Sequence, residues 1–138
     1  MGALLFGQPG IDTNQTKVVD GSGLSRHNAI SPNTMIQILR FCYLANFFPS
    51  FKMTFPIAGI DGTLKERFSS SPLVGKVYAK TGSLSQIRSL SGYIDINEKT
   101  EIAFSIFATG ILQSPLIIED IIEKAVTEIF NWKKNHNP

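Results

Sequence analysis

The sequence has 138 residues, of which 43% are hydrophobic and 17% charged, with a formal net charge of +2. This composition fits one soluble globular domain, and the small dispersed charge argues against a nucleic-acid partner. No apolar run approaches the roughly 20 residues of a transmembrane helix, and the first residues lack the basic start of a secretory signal. We therefore predict neither a transmembrane segment nor a signal peptide.

The start of the chain divides into a short apolar segment and a constrained loop. Residues 1–9 are apolar and end in a glycine- and proline-rich turn. Residues 20–28 contain Gly21, Gly23 and several short polar side chains, a composition typical of a tight, internally hydrogen-bonded loop. Two interpretations remain open: a plain connector, or a loop that holds Arg26 in place to bind a carboxylate.

The next segment is predicted to be helical and then irregular. Ser31 and Pro32 supply an N-cap and a first-turn proline, and apolar residues at helical spacing predict a helix over residues 32–45. The run FFP at residues 47–49 is interpreted as the end of this helix. Residues 50–68 are predicted to form a loop with one helical turn at residues 64–67. Its aromatic residues either pack under the loop or form an apolar wall of a binding groove: Phe47, Phe48, Phe51 and Phe55.

Three strands and a helix are predicted to follow. The strands cover residues 76–81, 89–96 and 101–108, with a turn at residues 97–100. The last strand is apolar on both faces, so both should be covered. A helix over residues 119–132 has acids in its first turn and lysines at its end. Its apolar residues should pack on the sheet: Ile121, Ile122, Ala125, Ile129 and Trp132. The prediction is an α+β fold, an antiparallel β-meander of about three strands packed against helices.

Cysteine and histidine give no sign of a metal site. Cys42 is the single cysteine and lies among apolar residues, so a buried thiol is predicted over a reactive one. His27 and His136 have no partners at ligand spacing. We predict no metal and no cofactor.

The first predicted strand carries Lys80, Thr81 and Gly82 in succession. A Lys-Thr-Gly strand borders the cleft of serine acyl transferases that act on peptide termini and β-lactams. There the ammonium attracts the substrate carboxylate, the hydroxyl hydrogen-bonds to it, and glycine lets the substrate backbone approach. Lys-Thr-Gly also suits an ordinary strand end and turn, so these three residues alone do not decide the function.

Four runs together resemble the C-terminal part of class C penicillin-binding proteins, a family of D-alanyl-D-alanine carboxypeptidases and endopeptidases. They are DGSGLSRHN at residues 20–28, FPIAGIDGTLKER at 55–67, KTGSL at 80–84 and SGY at 91–93. The resemblance covers residues 10–138 and leaves residues 1–9 as an atypical segment. It implies a partial penicillin-binding, serine β-lactamase-like transpeptidase domain.

The same resemblance implies roles for individual residues. Lys80 and Thr81 would recognise the terminal carboxylate of a peptidoglycan stem peptide or a β-lactam, and Gly82 would keep the strand accessible. The backbone N–H of Ser83 would be one oxyanion-hole donor, and Arg26 would help to hold substrate near the cleft. An intact family member would act in the periplasm or elsewhere outside the cytoplasm.

The sequence departs from the family where the nucleophile is expected. Family members use a Ser-x-x-Lys pair, whose serine is acylated, and a Ser-x-Asn triplet that lines the cleft. No serine is followed three residues later by lysine. The letters Ser-x-Asn occur only at residues 31–33, where Ser31 is assigned as a helix cap. We therefore expect a fragment that is inactive alone, or a non-catalytic remnant or folding module with no independent activity.

Overall fold

The computed structural model describes Gln8, residues 10–14 and residues 16–136, so the prediction for residues 1–9 lies almost wholly outside the described residues. The helices are α1 (Pro32–Tyr43), α2 (Phe48–Lys52) and α3 (Pro115–His136). The strands are β1 (Val77–Leu84), β2 (Ile87–Asn97) and β3 (Thr100–Thr109). This arrangement confirms the predicted α+β class.

The three strands form one antiparallel sheet in the order β1-β2-β3. Lys80 pairs with Ser91 across β1 and β2, and Gly92 pairs with Phe104 across β2 and β3. β2 and β3 extend beyond their predicted limits at both ends, whereas β1 begins one residue late and ends three residues late. The first two strands are longer because they run as far as a two-residue turn at residues 85–86. The meander prediction is confirmed, and its first strand includes Ser83 and Leu84.

One face of the sheet packs against α3 and contains the main core. Val77, Leu90 and Phe104 from the three strands are buried in the same cluster as Val126 and Phe130 from α3. Apolar side chains that alternate along each strand and recur along the helix thus meet on a single interface. The core fixes β2 against α3.

Helix α3 differs from its prediction in length and in part of its buried side. It begins at Pro115, so Glu119 and Asp120 lie beyond its first turn, although basic residues do occupy its last turn. Ile121 and Trp132 were expected to pack on the sheet but are 53% and 60% exposed. Ile122 is buried as predicted, and Ile129 packs against the core. The other buried residues of this helix, Val126 and Phe130, were not predicted.

The opposite face of the sheet is covered by α1 and α2. Tyr93 lies at its centre, 1% exposed, and its hydroxyl donates to the carbonyl oxygen of Leu39 at 2.7 Å. The rings of Phe48 and Phe55 pack edge-to-face on Tyr93, with centroids 5.0 and 5.9 Å away. Cys42 is buried beside this cluster, as predicted. Burial raises the pKa of both Tyr93 and Cys42.

Helix α1 starts as predicted and ends two residues early. The Ser31 hydroxyl accepts from the Thr34 amide at 3.0 Å and caps the helix, and the Leu44 amide closes it on the Arg40 carbonyl. Helix α2 was not predicted, because Phe47-Phe48-Pro49 was interpreted as a helix end. Pro49 instead occupies the first turn of α2, where its missing N–H costs no hydrogen bond. The predicted turn at residues 64–67 is a 3-10 turn at Gly62–Leu64.

Candidate active site at the open end of the Lys-Thr-Gly strand

Strand β1 lies at one edge of the sheet, and only its first half is covered on the outer side. The Ala58 amide donates to the Val77 carbonyl at 2.9 Å, and the Ala79 amide donates to the Pro56 carbonyl at 3.0 Å. Among the described residues no backbone bond continues this pairing past Ala79. The edge is therefore open where the Lys-Thr-Gly residues begin.

The direction of these two bonds shows which backbone groups face the open edge. In an antiparallel pair, successive residues present their N–H and C=O groups alternately toward and away from the partner strand. Since Val77 and Ala79 point away from β2, Thr81 and Ser83 also point away from it. The Ser83 N–H, the proposed oxyanion-hole donor, is thus directed to the open edge.

The Lys80 and Thr81 side chains make local hydrogen bonds. The Lys80 ammonium donates to the Thr81 carbonyl oxygen at 3.0 Å, and the Thr81 hydroxyl donates to the Thr63 hydroxyl oxygen at 3.0 Å. Lys80 is exposed, and Thr81 is half-buried. Thr63 belongs to the run at residues 55–67, but the sequence did not single it out as a neighbour of Thr81.

Gly82 is crowded by the neighbouring strand. A Cβ on Gly82 would lie 2.3 Å from the Ser89 hydroxyl oxygen and 3.7 Å from the Ser89 Cβ. Packing between β1 and β2 therefore also favours glycine at position 82. This reason is independent of the predicted approach of a substrate backbone.

An apolar groove of about 380 Å³ lies beside the strand, on the face covered by α1 and α2. Lys80, Thr81 and Gly82 line one side of this groove together with Ser83. Its apolar wall comes mainly from the helices, β3 and the aromatic segment: Met35, Ile38, Leu39, Phe51, Phe55 and Phe107. The aromatic residues were predicted either to pack under the loop or to form a wall of a groove. Phe51 and Phe55 line the groove, whereas Phe48 packs on the buried Tyr93 and Phe47 is 51% exposed.

The glycine-rich loop reaches the groove, but Arg26 does not line it. The Asn28 side-chain oxygen accepts from the Val19 amide at 2.7 Å, and the Asp20 carboxylate accepts from the Ser22 hydroxyl at 2.9 Å. The hydrogen bond from Ser22 is the main cause of a lowered pKa at Asp20. Ser25 and Asn28 line the groove, whereas the Arg26 side chain is exposed outside its lining.

A second, polar cavity of about 180 Å³ lies on the other side of β1, toward α3. Thr81 and Ser83 border it as well, and its charged lining consists of Arg67, Arg88 and Glu119. Neither arginine was predicted as a site residue from the sequence. Arg88 is one polar residue in an alternating strand, and nothing in the local pattern places it beside a residue of α3.

The structure also assigns a role to the one run with the letters Ser-x-Asn. Ser31 caps α1 through the Thr34 amide, and Asn33 is exposed. Neither residue lines the groove. This run is therefore a helix start, and no residue in it is placed to face a ligand beside Lys80.

The described part of the chain contains neither a membrane-spanning helix nor a metal-ligand cluster. None of the described helices is long and apolar enough to span a bilayer. No three His, Cys, Asp or Glu side chains within the described ranges are grouped closely enough to hold a metal ion.

Comparison with known proteins gives a consistent match over most of the sequence. Residues 3–128 match the model of the D-Ala-D-Ala carboxypeptidase 3 (S13) family. The chain is 41% identical over 103 residues to D-alanyl-D-alanine carboxypeptidase DacB of Haemophilus influenzae, covering 73% of this chain and 22% of that protein. It is 34% identical over 125 residues to D-alanyl-D-alanine carboxypeptidase of Actinomadura sp. strain R39, covering 86% of this chain and 23% of that protein.

A solved structure agrees with these sequence matches. The crystal structure of penicillin-binding protein 4 (dacB) from Haemophilus influenzae superposes with a TM-score of 0.74 at 35% identity, covering 88% of this chain and 29% of that chain. The same protein has also been solved in complex with a β-lactam. The chain spans about a quarter of the length of its curated relatives. Because the family model matches nearly the whole sequence, the chain belongs to the D-Ala-D-Ala carboxypeptidase 3 (S13) family.

Proposed function

We propose that this chain supplies the carboxylate-recognition strand of a serine D-alanyl-D-alanine carboxypeptidase or endopeptidase that acts on peptidoglycan stem peptides. The observation that carries the proposal is the open edge of β1 beyond Ala79, where the Ser83 N–H faces outward. Lys80 and Ser83 line the same groove beside this edge. Family membership supports this function, and the site of action would then lie outside the cytoplasm.

Each group at the open edge has a chemical task in this proposal. A peptide would pair with β1 as an added strand, using the outward N–H and C=O groups of Thr81 and Ser83. Its carboxylate would replace the Thr81 carbonyl as the partner of the Lys80 ammonium. The Thr81 hydroxyl would donate to the same carboxylate, and the Ser83 N–H would stabilise charge on the scissile carbonyl oxygen. A β-lactam would bind through the same groups.

In this proposal, the nucleophile and its base would be supplied by a polypeptide segment other than these 138 residues. Acyl transfer by a serine needs a group that removes its proton, and the sequence contains no Ser-x-x-Lys pair. This absence favours a second candidate, a non-catalytic remnant or folding module. Both candidates predict an inactive isolated chain, but only the first predicts activity when a nucleophile is restored.

The isolated chain should not be acylated by penicillin. Some serine hydrolases lose the nucleophile and its base but retain the rest of the site. The rate enhancement that remains is only about 10³-fold over the reaction in water. Incubation with a fluorescent penicillin followed by denaturing electrophoresis should give no band. A specific, stoichiometric band would show that a residue of this chain is acylated and would overturn the assignment.

Restoring the nucleophile separates the two candidates. Residues 10–138 would replace the matching C-terminal part of Haemophilus influenzae DacB, and acylation by penicillin would be timed. Lys80→Ala should slow acylation at least about tenfold, since charge-assisted hydrogen bonds contribute about 1.5–3 kcal/mol. Arg26→Ala should cost less, because its side chain is exposed outside the groove. Lys65→Ala, which removes another exposed ammonium, is the matched control.

The outcomes of this comparison are distinct. A chimera that folds with the thermal stability of the parent protein but is never acylated would favour the remnant. An active chimera in which Lys80→Ala equals Lys65→Ala would show that β1 is only structural. If Arg26→Ala is the more damaging variant, the carboxylate anchor is Arg26 and the assignment of Lys80 is wrong.

A further inference from the structure

One carboxylate of α3 receives two donors from the segment that precedes β1. Glu123 Oε1 accepts from Arg67 Nε at 2.7 Å, and Glu123 Oε2 accepts from the Phe68 backbone N–H at 2.9 Å. Arg67 is bound to the helix a second time, because its Nη2 donates to the Glu119 carbonyl oxygen at 3.4 Å. The Arg67 and Glu123 side chains are 13% and 24% exposed. Hydrogen bonds to an ionised carboxylate are among the stronger ones in proteins, so Glu123 fixes residues 67 and 68 against α3.

Phe68 is held in a backbone conformation that bulky residues disfavour. Its φ is +61°, in the left-handed region where a side chain of this size is uncommon. Its ring is 3% exposed and belongs to the core that α3 shares with the sheet. Such a conformation persists only where the surrounding structure imposes it. Here it is imposed at two points, by the buried ring and by the bond from the Phe68 N–H to Glu123.

The other end of the same segment contacts the Lys-Thr-Gly strand. Residues 62–64 form the 3-10 turn, and its Leu64 is fully buried in the core. Thr63, beside this anchor, accepts a hydrogen bond from the Thr81 hydroxyl at 3.0 Å. The segment at residues 62–68 therefore connects Glu123 of α3 to Thr81 of β1.

The Thr63 hydroxyl can hold the Thr81 hydroxyl in either direction of the hydrogen bond. A hydroxyl is both a donor and an acceptor, so Thr63 can donate to the Thr81 oxygen when the Thr81 proton turns toward a ligand. The Thr81 side chain keeps one rotamer while the proton changes direction. Each bond in such a chain strengthens the next, so Thr63 would make Thr81 a better donor.

We propose that Glu123 is a positioning residue for the Lys-Thr-Gly strand. By binding Arg67 and the Phe68 N–H, it holds the 62–68 segment where Thr63 fixes the Thr81 hydroxyl for a substrate carboxylate. The use of Thr81 for a carboxylate rests on the proposed function, whereas the fixed position of its side chain does not.

The rotamer of Thr81 tests the fixed position in the 138-residue chain. Its χ1 angle would be obtained by NMR from the three-bond couplings of its methyl carbon to the backbone nitrogen and carbonyl carbon. Wild type should show a single rotamer. Glu123→Gln leaves one acceptor oxygen for two donors, so the segment should loosen and the couplings should become averaged. Glu128→Gln, at an exposed position of the same helix, is the matched control.

Thr63→Val provides a second variant that leaves the Glu123 contacts in place. Thr63 is exposed, so the fold should be retained, and the Thr81 couplings should become averaged as in Glu123→Gln. If either variant keeps the wild-type couplings of Thr81, the proposed connection is absent and the inference is overturned.

A double-mutant cycle in the chimera with Haemophilus influenzae DacB tests the effect on recognition. Glu123→Gln and Thr63→Val should each slow acylation by penicillin about fivefold, the effect of losing roughly one hydrogen bond. Because both act through the same contact with Thr81, the double variant should be no slower than the slower single variant. Rates would be compared at a temperature where circular dichroism shows every variant to be folded.

The outcomes separate this inference from the proposed function. If the chimera is never acylated while the Thr81 couplings change as expected, the proposed function fails and the positioning role of Glu123 stands. If the chimera is acylated but Glu123→Gln reacts at the rate of Glu128→Gln, the proposed function stands and the inference is overturned. Rate effects that multiply in the double variant would show that Glu123 acts only on overall stability, which also overturns the inference.

Discussion

Gly92 is the position where a single added carbon should separate the Lys-Thr-Gly strand from the sheet. It lies in the middle of β2, opposite Ala79 of β1. A Cβ on Gly92 would lie 2.1 Å from the Tyr78 carbonyl oxygen, 2.6 Å from Ala79 Cα and 2.8 Å from Ala79 Cβ. The first two are backbone atoms, so no side-chain rotation can relieve the overlap.

The size of the effect follows from these distances. Carbon atoms in contact normally lie about 3.5–4.0 Å apart, so β1 would have to move by roughly 1 Å. Overpacking of a core costs about 1–3 kcal/mol, and we expect the upper end for Gly92→Ala because a whole hydrogen-bonded strand is displaced. With a urea dependence of about 1–3 kcal/mol/M for a small protein, the unfolding midpoint should fall by at least about 1 M.

The control is another glycine in the same chain. A Cβ on Gly21 would meet no heavy atom within 4 Å, and this residue lies in the exposed loop. Gly21→Ala should therefore leave the urea midpoint unchanged or slightly raised. Both variants would be unfolded in urea and followed by circular dichroism at 222 nm, a wavelength that reports helix content. A Gly92→Ala midpoint equal to that of Gly21→Ala would show that the contact between β1 and β2 is looser than the structure indicates.

Two further predictions concern buried polar groups. Lys52, 13% exposed, binds Asp95 at 2.6 Å and Glu101 at 2.5 Å, so Lys52→Met should cost about 2–3 kcal/mol by leaving both carboxylates unpaired. Burial opposes the charge of Lys52, but the two carboxylates prevail and raise its pKa, so this stabilisation should be lost as the pH rises above 10.5. Tyr93→Phe removes the buried bond to Leu39 and should cost about 1–2 kcal/mol. Because burial raises the pKa of Tyr93, the Phe variant should lose less stability than wild type above pH 10.

Each of the two variants has a control that makes the same substitution at an exposed residue. Lys99→Met changes an exposed residue of the turn between β2 and β3, and Tyr43→Phe changes a residue that is 43% exposed. Each should stay within about 0.5 kcal/mol of wild type. Urea midpoints measured from neutral pH to pH 11 would test both pairs. If Lys52→Met matches Lys99→Met, the ion pairs contribute nothing measurable, and a Tyr93→Phe profile parallel to wild type would contradict the assigned titration.

The meander could be predicted because alternating apolar residues and turn signals are local properties of the sequence. The buried side of α3 could be predicted only in part, at Ile122 and Ile129, because apolar residues surround this helix. Ile121 and Trp132 have the same hydrophobic character as Ile122 and Phe130, and only the position of the sheet selects the second pair. The prediction for Pro49 was also wrong, because proline occurs both after the end of a helix and in the first turn of a helix. Pro49 lies in the first turn of α2.

Prediction of the site was limited in the same way. Lys80, Thr81 and Gly82 could be recognised because they are adjacent in sequence. Arg88 could not, because its neighbour Glu119 is distant in sequence and reaches it only when α3 packs on the sheet. Sequence spacing identifies groups on one element, whereas a cavity between elements depends on packing.

Because side chains alternate between the two faces of an edge strand, the short Lys-Thr-Gly run presents chemical groups to three different sides. Lys80 lines the apolar groove, whereas Thr81 and Ser83 also border the polar cavity on the other side. The outward backbone groups of Thr81 and Ser83 face neither side but the open edge. An extended ligand paired with that edge would have the strand backbone in its plane, Lys80 on one side and Arg88 on the other. Its specificity would then depend on the register of pairing, because a shift of one residue would exchange the side chains that face the groove and the cavity.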